Sequence, residues 1–342
     1  MKNMKYFVGL DVHKEKTSYC VRDRLGNILL EGEAATLYME LSQKLKSYLA
    51  TSKIGLEAST SYYTLYQNFL KNGYDIRVAN TIQLRQLIAK NDKLDAKRLS
   101  EMLRLGTFPY SYIPNERIQH LRNLVHVRHA LMEEKTRCNN RIQAFLDRSG
   151  VVMPMCKAFS KKWREALVQY MGTGDVSTEL RYTYDHYVYL EKKQEQADQE
   201  MIGYAKKHWN QEYWLIRSVT GFGPILSCYV IANVLPIERF LSNRKLRRYA
   251  GVIPVFHDSA GHTSKGRIPK ESSRKLLRWA LIQAANAIAK TETRLGMYYR
   301  KKVKQKKNKA LAKIAVASSL IDILYHVLTT KKPYNPSLLL NE

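Results

Sequence analysis

The sequence predicts an α/β domain followed by a longer, mostly α-helical part. In residues 1 to about 112, short apolar runs of strand type alternate with segments of helical type. Between about 115 and 208, apolar residues recur at helical spacing with charged residues between them, and further helices follow from Tyr213. We therefore predict an α/β domain at 1–112, a helical coiled-coil or dimerisation region at 113–210, a mostly helical domain at 211–330 and a tail at 331–342.

Three consecutive strands open the first domain. They are YFVGLDV, TSYCVRD and NILLEGEA, and a turn at residues 24–27 joins the second pair. A helix at about 37–50, the strand KIGLEA, an aromatic-rich helix at 62–72 and the strand YDIRVAN follow. Three antiparallel strands followed by alternating helix and strand are the order of an RNase H-like sheet, in which the first and the KIGLEA strands would be neighbours.

Four acidic residues accompany these elements. Asp11 follows the first apolar run, Glu57 ends the KIGLE run, and Asp92 and Asp95 are three residues apart in a segment of helical character, which would place both on one helix face. Converging carboxylates repel one another unless a cation neutralises them. Oxygen ligands without Cys or His favour Mg²⁺ or Mn²⁺ over Zn²⁺. The pattern predicts a metal-dependent nuclease centre, although each residue alone is also typical of a turn or cap, and Asp92 suits a helix N-cap.

The charge of the chain predicts a polyanionic partner. The 57 Lys and Arg residues exceed the 30 Asp and Glu residues by 27, a surplus typical of proteins that bind nucleic acid or a membrane surface. A membrane is less favoured because the most apolar late segment, 314–328, contains Asp322 and His326. The start lacks the pattern of a signal peptide, and the four cysteines have neither disulfide-framework nor zinc-site spacing, so we expect a cytoplasmic protein.

The third domain contains the features expected to contact phosphates. Gly221 and Gly223 precede a helix that has Pro224 in its first turn, which is either a helix-hairpin-helix-like backbone grip on nucleic acid or an ordinary glycine turn. Basic residues then recur in clusters that are either phosphate contacts or solvated faces. The predicted phosphate contacts are Arg244, Lys245, Arg247, Arg248, Lys265, Arg267, Lys270, Arg274, Arg278, Arg300, Lys301 and Lys302.

The chain resembles the DEDD-type transposases of the "IS one-ten" insertion sequences, relatives of the Piv invertase. The resemblance spans about 5–330 and rests on GLDVHK, LEAST, KNDKLDA, TGFGP and FLSNRKLRRYAGVIP. The family's Ser-Gly loop, Gly-Arg-Ile and Arg-bearing helix start correspond to residues 258–261, 266–268 and 275–278. Two departures stand out: Ala260 occupies the usual glycine position, and 270–273 read Lys-Glu-Ser-Ser where Lys-x-Gly-Asn is common.

The resemblance implies a RuvC-like domain in which Asp11, Glu57, Asp92 and Asp95 bind Mg²⁺. It also implies that Ser259, nine residues before Ile268, is the nucleophile that becomes joined to DNA, with Ser264, Ser272 and Ser273 as alternatives. Lys265, Arg267 and Lys270 would stabilise phosphate charge; His257 and His262 would be proton carriers or ordinary loop residues. The partners implied are donor and target DNA, a structured bridge RNA, and further copies of the chain, as a dimer or a synaptic tetramer.

Three other functions fit parts of the sequence. A junction-resolving, RuvC-like nuclease would use the same carboxylates with water as the nucleophile, and the Ser259 loop distinguishes the two. An inactive nucleic-acid-binding protein would account for the charge alone. A tyrosine recombinase is the least favoured, because the sequence lacks the spaced Arg-His-Arg pattern of that class.

Overall fold

The computed structural model describes residues 4–59, 61–87, 95–172, 177–253, 258–259, 262–263 and 274–336, with backbone only at 85–87, 258–259 and 262–263. Asp92, Lys265, Arg267, Lys270 and the side chain of Ser259 therefore lie outside the described part. The chain forms two compact units, Met1–Pro114 and Asn115–Glu342. The boundaries expected from the sequence near 112 and 210 stay predictions.

The first unit contains a five-stranded sheet. Its elements are β1 (Tyr6–Val12), β2 (Lys16–Arg22), β3 (Ile28–Ala35), α1 (Tyr38–Lys44), α2 (Lys46–Leu49), β4 (Ser52–Glu57), α3 (Tyr62–Lys71), β5 (Asp75–Ala79), α4 (Thr81–Leu87) and α5 (Ala96–Arg104). The strand order is β3-β2-β1-β4-β5, antiparallel from β3 to β1 and parallel from β1 to β5. The predicted adjacency of the first and fourth strands is confirmed.

The two faces of this sheet pack against different helices. Val8, Leu10 and Val12 of β1 face a core with Leu41 of α1 and Phe69 of α3. Phe7, on the opposite face, packs with Leu99 and Leu103 of α5, as the alternation of side chains along a strand requires. The predicted helix at 37–50 is divided in two because the buried Leu45 leaves helical conformation (φ −96°, ψ 1°).

The second unit is built on two long helices. Its elements are α6 (Glu116–Arg148), α7 (Lys161–Met171), α8 (Thr178–Arg217), α9 (Pro224–Val234), a 3₁₀ turn (Ile237–Arg239), α10 (Asn243–Ala250), β6 (Asp258–Ser259), β7 (His262–Thr263), α11 (Lys275–Ile288), α12 (Arg294–Lys306) and α13 (Lys309–Thr330). Cys138 and Leu146 of α6 pack with Leu180 and Leu190 of α8. The start of α6 shares a core with the last turns of α8, so the two long helices form an antiparallel pair.

The largest core surrounds α9, α11 and α13. Among the described residues, α13 is the one helix long and apolar enough to cross a bilayer, but half of its most apolar window is buried inside the protein. Val316, Leu320 and Leu324 of α13 are completely buried in the core to which α9 and α11 also contribute. The helix α13 is therefore a core helix of the second unit. All four cysteines are free thiols.

Candidate functional site

Two glycines let α5 lie directly on the sheet. Gly9 of β1 is paired with Gly55 of β4. A Cβ on Gly9 would lie 2.0 Å from the carbonyl oxygen of Ala96 and 2.6 Å from the backbone nitrogen of Ser100. A Cβ on Gly55 would lie 2.7 Å from the ring of Phe108. The first turn of α5 therefore rests against the backbone of β1, an approach that no residue with a side chain permits.

Two of the predicted acidic residues follow these glycines on the same face. Asp11 and Glu57 come directly after Leu10 and Leu56, which are paired in register between parallel strands. Neighbouring strands lie about 4.8 Å apart, so the two carboxylates start from adjacent positions. Alternation along each strand places them on the face of Gly9 and Gly55, which α5 covers. Both residues are partly exposed.

Asp95 reaches the same place from the start of α5. Its backbone is extended (φ −134°, ψ 171°), and its side chain accepts a hydrogen bond from the backbone N–H of Arg98, the N-cap interaction. The expectation that Asp92 and Asp95 share one helix face is therefore wrong for Asp95, because it caps the helix instead of lying within it. Ala96, the next residue, is the one that would meet a side chain at Gly9.

Two neighbouring charged groups and burial set the pKa of Asp11. Burial raises the pKa of Asp11 above its ordinary value, and the charge of Asp95 raises it further, while His13 lowers it. His13 Nε2 lies 3.3 Å from Asp11 Oδ2, and its imidazole is 69% exposed. The sequence interpretation missed His13, although its position two residues after Asp11 near the end of β1 is a usable signal.

The donor chemistry of the acidic site fits a hard divalent cation. Asp11, Glu57 and Asp95 offer oxygen atoms, and the mutual repulsion of Asp11 and Asp95 is what a bound cation would relieve. Within the part of the chain that the structure describes, no three His, Cys, Asp or Glu side chains are close enough to hold a metal ion together. The fourth predicted ligand, Asp92, lies outside those residues.

The predicted nucleophile lies in a short hairpin. Ser259 of β6 pairs with His262 of β7 in antiparallel fashion. This places the backbone of His262, one of the two predicted proton carriers, directly opposite that of Ser259. The predicted alternatives Ser264, Ser272 and Ser273 lie outside the described residues.

The two glycines before α9 have different environments. Gly221 has a φ of +96°, and a Cβ there would lie 2.9 Å from the carbonyl oxygen of Ala284 in α11. Gly223 is the N-cap of α9, with Pro224 in the first turn as predicted. Its Cβ position would meet only Arg217 Nη1, at 3.8 Å. Gly221 is thus explained by packing of α9 against α11, whereas Gly223 leaves room for a ligand.

The predicted phosphate contacts also differ in what they touch. Arg244, Lys245 and Arg248 are exposed on α10. Arg247 instead forms a bidentate ion pair with Asp322 of α13, and Asn243 donates to the same carboxylate at 2.9 Å. Arg300 donates to Glu292 at 2.6 Å and to the carbonyl oxygen of Thr291. Arg278 and Lys302 are partly exposed and Lys301 is exposed.

Replacing Asp322 with alanine is expected to destabilise the second unit. The change leaves the half-buried Arg247 guanidinium and the Asn243 amide without their shared acceptor, at a cost of about 2 kcal/mol. Chemical denaturation followed by circular dichroism measures the loss. The control is Glu292→Ala, which breaks the exposed pair with Arg300 and should change stability by less than about 0.5 kcal/mol. Equal effects of the two variants would contradict a structural role for Asp322.

Comparison with known proteins gives matches along most of the chain. A family model described as a transposase of DEDD type matches residues 8–150, and one described as "Transposase IS116/IS110/IS902 family" matches residues 213–300. The chain is similar to the transposase for insertion sequence element IS1328 of Yersinia enterocolitica, with 22% identity over 81% of this chain and 82% of that protein. It is also similar to the putative transposase y4qE of Sinorhizobium fredii, with 24% identity over 82% of this chain and 70% of that protein.

Proposed function

Because the chain belongs to the IS116/IS110/IS902 family of transposases, enzymes of DNA recombination, we propose that it cuts and rejoins DNA through an ester between Ser259 and a DNA phosphate. In this proposal the reaction also requires a carboxylate site that holds Mg²⁺, or Mn²⁺. The observation that carries the metal site is the placement of Asp11 and Glu57 at the adjacent ends of β1 and β4, with Asp95 near enough to raise the pKa of Asp11.

The residues proposed to hold the ion are Asp11, Glu57, Asp92 and Asp95. A divalent ion bound there supplies positive charge that polarises a phosphodiester and favours the deprotonated nucleophile. The strand order β3-β2-β1-β4-β5, with the acidic residues at the ends of β1 and β4, supports the assignment of this unit as RuvC-like and RNase H-like.

The proposed strand cleavage exchanges one ester for another. Ser259 Oγ forms a bond to phosphorus, its hydroxyl proton passes to a base, and one bridging P–O bond breaks. The departing deoxyribose oxygen takes up a proton. Attack by the hydroxyl of a second DNA end reverses these events and frees the serine. Because the ester bond is conserved, rejoining requires neither ATP nor an oxidant.

The large positive charge supports further partners in this proposal. A net charge of +27 suits binding of polyanions, and, following the family resemblance, we propose that a structured bridge RNA occupies part of the basic surface. Exposed Arg244, Lys245, Arg248 and Lys301 are proposed phosphate contacts. Synapsis of two DNA molecules would use a homo-oligomer, a dimer or a tetramer, acting at the nucleoid of a prokaryotic cytoplasm.

Covalent trapping tests the proposed reaction. The full-length protein, the RNA encoded beside its gene and labelled donor and target DNA would be incubated with Mg²⁺ and separated on a denaturing gel. We expect a protein–DNA adduct for the wild type and for Ser264→Ala, and none for Ser259→Ala or without a divalent ion. Cleaved DNA without an adduct, undiminished in Ser259→Ala, would instead support the RuvC-like nuclease that uses water.

A further inference from the structure

Three arginines and a tyrosine meet at the base of the segment that contains Ser259. We call Arg122, Arg239, Tyr249 and Arg274 the arginine cluster. They come from α6, the 3₁₀ turn, α10 and the N-cap of α11. The backbone N–H of Arg274 donates to the carbonyl oxygen of Tyr249 at 3.2 Å, which joins the two ends of the segment 250–273. The cluster therefore lies where the chain leaves for Ser259 and returns from it.

The aromatic ring of Tyr249 is the centre of the cluster. The guanidinium carbon of Arg239 lies 4.7 Å from the ring centroid, and that of Arg274 lies 5.4 Å from it. Phe240 packs edge to face with Tyr249, with ring centroids 5.1 Å apart, and its centroid lies 4.2 Å from the guanidinium carbon of Arg239. Cations over aromatic faces at these distances attract the ring electrostatically.

Two of the arginines are held by the end of α9. Arg122 Nε donates to the carbonyl oxygen of Ala232 at 2.8 Å. Arg239 donates to the carbonyl oxygens of Asn233 and Val234. These bonds satisfy carbonyls at a helix C-terminus and also fix the two guanidinium groups in place. Their positions are thus set before any ligand arrives, which lowers the entropy cost of binding.

The charges of the cluster produce a strong positive potential. Burial alone would raise the pKa of Tyr249, yet the charges of Arg274, Arg239 and Arg122 bring it below its ordinary value. At the edge of the cluster, burial lowers the pKa of His126, and Arg122 and Arg274 lower it further. Both lowered pKa values indicate a positive local potential, which favours a negatively charged group and disfavours a further positive one.

A purely structural role does not account for all of these groups. The hydroxyl of Tyr249 is buried with the Arg239 guanidinium beside it, and no acceptor among the described residues takes its proton. Arg274 is exposed, and no carboxylate in the described chain forms an ion pair with it. Helix capping and cation–π packing explain Arg122 and Arg239, but among the described residues no carboxylate pairs with the Arg274 guanidinium and no acceptor takes the Tyr249 proton.

We propose that the arginine cluster binds a phosphodiester group of a nucleic-acid backbone and holds it at the base of the Ser259 segment. The planar guanidinium of Arg274 presents two parallel N–H groups to phosphate oxygens, and the Tyr249 hydroxyl donates a third hydrogen bond. The arrangement deepens the proposed function, on which it rests, by adding to the basic surface one site that fixes a single phosphate between the two ends of the segment that contains Ser259.

The test measures nucleic-acid affinity as a function of salt concentration. The full-length protein is titrated against a fluorescent 30-base-pair DNA duplex, and in a second arm against RNA of the same sequence, at several KCl concentrations. Arg274→Gln should weaken binding roughly tenfold at low salt and reduce the salt slope by up to about 0.9, the value for one phosphate of duplex DNA. Arg274→Lys should recover the salt slope but not the full affinity, because lysine lacks the two parallel N–H groups of the guanidinium.

Two further variants make the result decisive. Tyr249→Phe retains the ring on which both arginines stack and removes only the hydroxyl, so it should fold and weaken binding about threefold or more. Lys290→Gln removes an exposed charge just after α11 and should have little effect. Binding of Arg274→Gln and Tyr249→Phe equal to that of Lys290→Gln, on both DNA and RNA, would overturn the proposal. The wild-type adduct would remain in that case, so failure of the cluster and failure of the serine reaction are distinguishable.

Discussion

Gly9→Ala is expected to destabilise the first unit by about 3 kcal/mol or more and to abolish DNA cleavage. The added Cβ would lie 2.0 Å from the carbonyl oxygen of Ala96 and 2.6 Å from the backbone nitrogen of Ser100. These are backbone atoms of α5, so no side-chain rotation relieves the clash. The helix must move off the sheet, and Asp95 at its N-cap must move away from Asp11.

Hydrogen exchange followed by mass spectrometry checks this prediction, because it assigns the lost protection to β1 and α5. The matched control is Gly203→Ala in α8, where a Cβ would meet nothing within 4 Å. That change should stabilise its helix by roughly 0.5–1 kcal/mol. A Gly9→Ala protein with unchanged protection in α5 would show that the helix does not rest on β1 in this way.

The strands and the acidic site were predictable from local patterns. The apolar runs that contain Val8, Leu10, Ile54 and Leu56 indicate buried strands, and an RNase H-like order requires β1 beside β4. From these the adjacency of Asp11 and Glu57 follows. The pattern did not predict the role of Gly9 and Gly55, which lie two residues before these carboxylates. Their function is defined by a helix more than forty residues away, and periodicity along one strand contains no information about that contact.

Which basic residues are paired and which are exposed could not be predicted from the sequence. Arg247 and Arg248 are adjacent in one basic run, yet Arg247 is paired with Asp322 and Arg248 is exposed. Arg122 and Arg239 were not among the predicted phosphate contacts, because neither belongs to a dense basic run. The arginine cluster assembles from four separate segments around Tyr249, and only tertiary packing brings them together.

Asp11→Asn is expected to reduce DNA cleavage about 10³-fold while leaving nucleic-acid binding unchanged. The substitution keeps the shape of the side chain and removes a charge that the proposed Mg²⁺ site needs. The loss of a charged ligand removes several kcal/mol of transition-state stabilisation, and about 4 kcal/mol corresponds to this factor. Glu15→Gln, a similar change at an exposed residue just after β1, should retain full activity.

The stability of the same variant separates a metal ligand from a structural residue. The pKa of Asp11 is raised in the folded protein, chiefly by burial. A carboxyl group with a raised folded-state pKa opposes folding once both states are ionised, and this cost disappears as the pH falls through the folded pKa. In EDTA at pH 7, Asp11→Asn should therefore unfold at a higher temperature than the wild type, and the difference should shrink at acidic pH.

Added Mg²⁺ should stabilise the wild type by mass action and the variant much less. If Mg²⁺ raises the melting temperature of both proteins equally, Asp11 does not bind the ion, and the cleavage defect must have another cause.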